Sequence, residues 1–264
     1  MRLTFKGNVE QTVRGTDNQA HVTTMEVEST STEPFVVMTN ESQFSDSAMK
    51  LVKKAAFNKD TSTTWANFAN QLQVHYLSAT RQSATSDHRP LSLFDLNYIH
   101  KAHFKEKDVI VEDDFKEFWK WFGKVLHKIR HQKPIPELWA KGHIFGFLSK
   151  EESSDILKEF SPGTFLVRFS ERSAGQFAIA YVSLDKEKQQ NVVKHHLVKP
   201  TVKKLQDFLR EKDAFKTILI SNCSFNVDSI DNIVKGTTGK DLALADFYTP
   251  ADNKSLDDYE EQIN

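Results

Sequence analysis

Polar and apolar positions divide the chain into three stretches of different rhythm. The first is the least helical. His21-Val22-Thr23-Thr24-Met25-Glu26-Val27-Glu28 alternates weakly, with the period of two of a half-exposed strand. Phe35-Val36-Val37-Met38 is a short apolar run after Ser29-Thr30-Ser31-Thr32 and predicts a buried strand. The second stretch repeats at helical spacing. Thr61-Ser62-Thr63-Thr64 offers N-cap hydroxyls ahead of Trp65, Phe68, Ala69, Leu72 and Tyr76. A second helix starts at Ser92 and buries Leu93, Leu96 and Ile99. The third has Glu112-Asp113-Asp114 in its first turn, where the helix dipole favours anions, and Lys124, Lys128, Arg130 and His131 toward its end. Phe115, Phe118, Trp119, Phe122, Leu126 and Ile129 make its single stripe, and Pro134 and Pro136 stop it.

The third stretch mixes both periods. Ser149-Lys150-Glu151-Glu152 is a capping box for a helix that buries Ile156, Leu157 and Phe160. Pro162-Gly163 turns the chain into the run Thr164-Phe165-Leu166-Val167-Arg168-Phe169-Ser170, then Phe177, Ile179 and Tyr181 alternate after a turn at Gly175. Lys186 to Gln190 is a polar turn, Val192 to Val198 a third strand, and Leu205 to Leu219 predicts the closing helix. The expected unit is a short antiparallel sheet flanked by two helices.

Arg168 is the position where this pattern acquires chemistry. In a strand, Phe165, Val167 and Phe169 share one face and Thr164, Leu166, Arg168 and Ser170 the other. Both faces are mostly apolar, as in a central strand covered on both sides. A guanidinium there is costly unless an anion meets it. The bland solution is an internal carboxylate. The following Glu171-Arg172-Ser173-Ala174-Gly175 instead supplies hydroxyls, a second cation and a flexible glycine, a composition suited to wrapping an oxyanion such as phosphate.

Composition narrows the setting. A chain of 264 residues can hold more than one domain. With 35 basic and 36 acidic residues it has no bulk attraction for nucleic acid or membrane. Cys223 is the single cysteine, so no intrachain disulfide forms, which suits a reducing compartment; its apolar neighbours suggest a small buried side chain. No run is apolar enough to span a bilayer, and the first residues lack the apolar core of a signal peptide.

Leu138-Trp139, Gly142-His143-Ile144-Phe145-Gly146-Phe147-Leu148-Ser149-Lys150 and Pro162-Gly163-Thr164-Phe165-Leu166-Val167-Arg168-Phe169-Ser170-Glu171 together resemble the start of the Src-homology-2 (SH2) domain of the signal transducers and activators of transcription (STAT). Upstream, Pro34-Phe35-Val36-Val37-Met38-Thr39-Asn40-Glu41-Ser42-Gln43 resembles the last strand and loop of that family's DNA-binding barrel, and Trp65 to Pro136 its helical linker. The resemblance implies a multidomain α+β chain: residues 1–58 the incomplete end of a DNA-binding β domain, 59–137 a helical linker, 138–250 an SH2 domain, and 251–264 an acidic tail. It also implies a phosphotyrosine pocket. Arg168 matches the arginine that forks onto the phosphate, a geometry an ammonium cannot copy. Lys150 matches a second cation, and Ser170 and Glu171 match loop positions. Arg172 stands where relatives usually carry serine, so either the pocket is more cationic or Ser173 takes over that contact. His196 aligns with a third-strand histidine that borders the ring, with His195 beside it. Thr39, Asn40 and Gln43 match the positions that approach DNA, chemistry amide and hydroxyl groups can perform. Glu41 and Asp46 surround them, so this segment alone is a poor DNA ligand.

Other chemistries fit less well. Gly236-Thr237-Thr238-Gly239-Lys240 lacks the glycine spacing of a phosphate loop and the Ser/Thr after its lysine. His127 and His131 stand one turn apart without a carboxylate or cysteine to complete a zinc shell. No nucleophile, metal set or cofactor motif emerges, so the expectation is binding, without catalytic residues or cofactors. The implied partners are phosphotyrosine peptides, a second copy or a related STAT-like chain, a tyrosine kinase, and DNA in the full-length protein, in cytoplasm and nucleus, with no membrane. Tyr259, in Ser255-Leu256-Asp257-Asp258-Tyr259-Glu260-Glu261-Gln262, is the candidate phosphoacceptor; Tyr248, beside Leu242, Leu244 and Phe247, reads as structural.

Overall fold

The computed structural model describes residues 2–14, 20–32, 35–81, 89–202 and 204–250. It divides into two compact units, Met1–Ser47 and Ala48–Asn264. In the first, β1 (Lys6–Arg14) and β2 (Ala20–Glu28) form an antiparallel hairpin with Val9 opposite Met25 and Gly7 opposite Val27. Strand alternation puts Val9, Met25 and Val27 on one face, and all three are exposed. The strand expected at residues 35–38 does not form. An apolar run alone supplies no ladder partner, and none is paired with it among the described residues. The segment instead leads through a short 3-10 turn (Glu41–Gln43) into α1 (Phe44–Phe57). Residues 44–57 are thus helical, although the sequence reading placed them at the end of a β domain.

The second unit begins with helix–loop–helix pairs. β3 (Ser62–Thr64) leads into α2 (Trp65–Ala79), and α3 (Leu93–Phe104) into β4 (Val109–Val111) and α4 (Glu112–His131). β3 and β4 pair antiparallel, with Thr63 opposite the fully buried Ile110. Thr64 caps α2 by accepting from Asn67 N, and Ser92 with Asp95 forms a capping box on α3. The α4 stripe is buried as the periodicity predicts, and Phe68, Phe104, Phe115, Phe118 and Phe122 interlock with ring centroids 5.0–6.0 Å apart.

A short helix, α5 (Ile135–Ala140), joins this part to the sheet. There β5 (Ile144–Gly146), α6 (Lys150–Leu157), β6 (Thr164–Phe169), β7 (Phe177–Asp185), β8 (Gln190–Leu197), α7 (Leu205–Arg210), β9 (Thr217–Ser221), β10 (Val234–Gly239) and α8 (Lys240–Leu244) follow. The strand order is β10-β9-β6-β7-β8, with β5 also on β6. β6, β7 and β8 are antiparallel as expected, but β5 and β9 each pair parallel to β6, so the sheet is mixed. Leu166, Ala180 and Val182 pack with Ile156 and Leu157 of α6, while Phe208 of α7 covers the opposite face against His196.

The predicted closing helix is shorter than expected. It stops at Arg210, and Ile218, Leu219 and their neighbours enter the sheet as β9. Lys240 helps stop it: its buried ammonium donates to the carbonyls of Leu209, Arg210 and Lys212, the acceptors a helix end leaves open. The lysine of the Gly-Thr-Thr-Gly-Lys run is therefore structural. Cys223, expected to be buried, is only partly so. Among the described residues, no helix is long and apolar enough to cross a membrane.

Candidate functional site

Arg168 lies near the end of β6, opposite Ala178 of β7, and is 4 % exposed. Its Nη1 donates to the carbonyls of Leu148 at 3.3 Å and Phe169 at 3.2 Å, both long bonds. Glu171 Oε2 stands 3.7 Å from the same nitrogen. Nε is buried with no partner among the described residues. Burial lowers the basicity of the guanidinium, with Glu171 and then Tyr98, Glu151 and Glu152 acting against it.

The N-terminus of α6 meets this strand end. Ser149 accepts from Glu152 N while Glu152 accepts from Ser149 N, which leaves the backbone N–H of Lys150 to bond Glu171 Oε2 at 3.0 Å. A carboxylate thus already rests where a helix N-terminus attracts anions. The Lys150 side chain is exposed beside it.

The loop after β6 folds on itself. Ser170 N donates to Gln176 O, Gln176 N to Ser173 O, and Ser173 N to Ser170 Oγ. Ser170 is buried, Ser173 and Glu171 partly so, and Arg172 is exposed. Arg168, Lys150, Ser170, Glu171, Arg172 and Ser173 are therefore brought to one end of the sheet. His196 is not: it lies opposite Ile179 on the other face and stacks on Phe208, centroids 5.5 Å apart at 15°. The adjacent His195 takes its place on the Arg168 face, opposite Ala180, with Nε2 3.1 Å from Ser154 Oγ. Burial, then the charges of Arg168 and Lys150, pull its imidazole down to about 4. Register across β7 decides between the two histidines, and sequence adjacency alone does not carry it.

Three residues escaped the sequence reading. Trp121 of α4 donates its indole N–H to Ser170 O at 2.9 Å. Tyr98 of α3 stacks on Phe147; burial and then Glu171 push its phenol up, while Arg168 pulls it down. Arg89 is 2 % exposed, lies 3.8 Å over the Trp139 ring and donates to the carbonyls of Trp139, Ile144 and Phe145, which fixes β5 ahead of the Leu148 carbonyl. Trp121 extends the α4 stripe at i+3 from Phe118, a signal a wider stripe would have included; Arg89 and Tyr98 carry none.

The DNA candidates cluster elsewhere. Thr39 N bonds Gln43 Oε1 at 3.0 Å, and Asn40 Oδ1 accepts from Ser42 Oγ, so Thr39, Asn40 and Gln43 form one exposed turn ahead of α1. Tyr259 lies outside the described residues. Tyr248 bonds Asp241 Oδ1 at 2.8 Å beneath the Arg210 guanidinium.

Comparison with known proteins places these features. The SH2 domain family model matches residues 143–219, and an EF-hand fold domain model matches residues 40–132. Signal transducer and activator of transcription A of Dictyostelium discoideum is 43% identical over 212 residues, covering 78% of this chain and 29% of its own length. The B protein of the same organism is 34% identical over 251 residues, covering 86% of this chain and 22% of its own. The chain thus spans less than a third of these curated relatives. A solved inactive choanoflagellate E3 ubiquitin ligase Cbl TKB aligns over 67% of this chain and 46% of its own at 14% identity, with a TM-score of 0.25, too low to bear on the fold. By sequence this chain belongs to the STAT family, and its C-terminal part carries the family's SH2 domain.

Proposed function

We propose that this chain binds phosphotyrosine through Arg168 and, within a longer protein, acts as a signalling transcription factor that dimerises by reciprocal phosphotyrosine capture. The observation that carries this is the buried guanidinium at the end of a central strand, whose Nε has no partner among the described residues. The carboxylate of Glu171 is 3.7 Å away and shared with a helix N-terminus. Such a group is underused by the fold and matches the planar fork that phosphate accepts. Lys150 and Arg172 add charge, Ser170 and Ser173 add donors, and His195 borders the cleft on the same face.

Two pockets that each take the other's phosphotyrosine give a closed two-fold dimer, formed by two copies or with a related STAT-like chain after a tyrosine kinase has acted. Tyr259 is the proposed acceptor, and the acidic residues around it would suit exposure to a kinase. Dimers would carry Thr39, Asn40 and Gln43 to DNA in the nucleus. A second reading, a phosphotyrosine-docking adaptor that does not bind DNA, draws on the hydrogen bonds that already occupy Thr39, Asn40 and Gln43. Neither reading asks the chain for catalysis.

The test is calorimetric titration of a phosphotyrosine peptide into wild type and Arg168→Ala. Loss of the charged donor pair should weaken binding about a hundredfold, roughly 3 kcal/mol. Near wild-type affinity in a folded Arg168→Ala variant would end this assignment. Sedimentation after phosphorylation, with Tyr259→Phe compared with Tyr248→Phe, tests the dimer. Phosphorylation-dependent dimers that survive Tyr259→Phe would remove that residue from the mechanism.

A further inference from the structure

We infer that α4, which lies outside the span matched by the SH2 model, is a working part of the phosphate-binding apparatus, and that Trp121 is a positioning residue for it. The inference rests on the phosphotyrosine reading of Arg168. Three positions of α4, one helical face at successive turns, each hold a different part of the loop after β6. Trp121 bonds the Ser170 carbonyl where the loop begins. Lys124 lies under Gly175 where the loop ends: a Cβ added at Gly175 would come within 3.0 Å of Lys124 Cβ and 3.3 Å of its carbonyl oxygen. Lys128 places its ammonium 4.8 Å from the centroid of Phe177, the first residue of β7.

The loop needs this support because its internal bonds leave one end open. They use the N–H of Ser170, the Ser170 hydroxyl and the carbonyls of Ser173 and Gln176, whereas the Ser170 carbonyl points to the Trp121 indole. Trp121 is itself held, with His103 at 4.5 Å and Phe147 at 5.4 Å between ring centroids. Phe147 immediately precedes Leu148, whose carbonyl accepts from Arg168. One indole therefore braces both the loop and the strand side of the pocket. Gly175 permits the close approach to α4, with φ at +72°, a region that only glycine enters freely. A loop already ordered in the free protein loses little entropy when phosphate binds, so fixing it raises affinity.

The experiment compares wild type with Trp121→Phe, which keeps a ring and removes the N–H. Calorimetry with a phosphotyrosine peptide, thermal midpoints and amide hydrogen exchange across residues 170–176 are measured together. The expected result is binding weaker by about five- to tenfold and faster exchange in the loop, at a temperature where both proteins are folded. A purely structural tryptophan would lower the midpoint and leave the dissociation constant alone, and that result overturns the inference. If Trp121→Phe does not fold, the wild-type indole ¹⁵N resonance decides. Slow exchange and a shift on adding the peptide support the brace, and a fast-exchanging, unshifted indole overturns it. If wild type binds no phosphotyrosine peptide, the function proposed above fails, while loop exchange in Trp121→Phe still shows whether α4 holds the loop.

Discussion

Replacing Arg168 with methionine separates an arginine kept for a ligand from one kept for the fold. Methionine is nearly as long, flexible and apolar, so it refills the volume without a charge. The change removes two long bonds to carbonyls, at 3.3 and 3.2 Å, each contributing about 0.5–1.5 kcal/mol. It also removes a buried Nε without a partner among the described residues, which costs about 1–3 kcal/mol, and the desolvation of a guanidinium whose carboxylate stands 3.7 Å away. The balance favours the variant by about 1–2 kcal/mol, or roughly 2–8 °C in thermal midpoint. A phosphotyrosine peptide at a hundred times its dissociation constant should then stabilise wild type by about 2.7 kcal/mol and leave the variant unmoved, so the order of the midpoints reverses. Scanning calorimetry with and without peptide reads both effects. A variant destabilised by about 3 kcal/mol or more would refute the reasoning, since breaking a true buried ion pair costs that much, and Arg168 would belong to the fold.

Trp119 is 4 % exposed with Phe115 and Phe122 rings at 5.5 and 5.7 Å, so Trp119→Ala should cost about 3–5 kcal/mol in chemical denaturation. An unchanged midpoint would show that the α4 stripe is not core. Glu171→Gln keeps an acceptor for Lys150 N but withdraws the charge that a phosphate must approach, so phosphotyrosine binding should tighten about threefold or more by calorimetry. Weaker binding would mean that Glu171 organises the pocket. His103 and His195 are both held down to about 4 with burial as the first cause, against about 6.5 in the unfolded chain. The unfolded state then binds more protons between these values, so this contribution is complete above pH 6.5 and is lost as pH falls toward 4. His103→Leu should flatten the midpoint's dependence on pH across that window, and an unaltered slope would contradict it.

Much of this architecture was legible because its causes are local. The Ser92 and Ser149 caps, the acidic start and basic end of α4, and the apolar faces around Arg168 each depend on residues within a few positions of one another. What escaped depends on distant partners. The segment from Leu205 to Leu219 satisfies helical spacing, yet the helix ends where Lys240 reaches back to its carbonyls and the following apolar residues find β6. Adjacent histidines pointed to opposite faces are separated only by pairing with Ile179 or Ala180. Residues 35–38 have the composition of a strand but no paired edge among the described residues. Arg89 was invisible because its acceptors lie at Trp139 and beyond. The gathering of the proposed pocket's residues at one end of the sheet was readable from Arg168 onward; their support from α3 and α4 was not.

The EF-hand match raises a question that the loop chemistry answers. A calcium loop surrounds its ion with carboxylate and carbonyl oxygens. Here the two loops begin with Asn58 and Lys105, both in the left-handed region just after a helix that ends in phenylalanine. They then hold each other: Trp65 N donates to Asp108 O and Glu112 N to Thr61 O on either side of the β3–β4 pair. Cationic and amide donors take oxygens beside both loops. Lys107 Nζ meets Asp114 Oδ2 at 2.7 Å, and Asn67 Nδ2 meets the Ala56 carbonyl at 2.8 Å. Among the described residues, no three histidine, cysteine or acidic side chains gather to hold a metal ion. An ion that used the Ala56 carbonyl or the Asp114 carboxylate would displace a protein donor, in the second case an ammonium of like sign. Calcium should therefore leave the thermal midpoint of this chain where a chelator leaves it. A calcium-dependent rise would show that Lys107 yields its carboxylate to the ion.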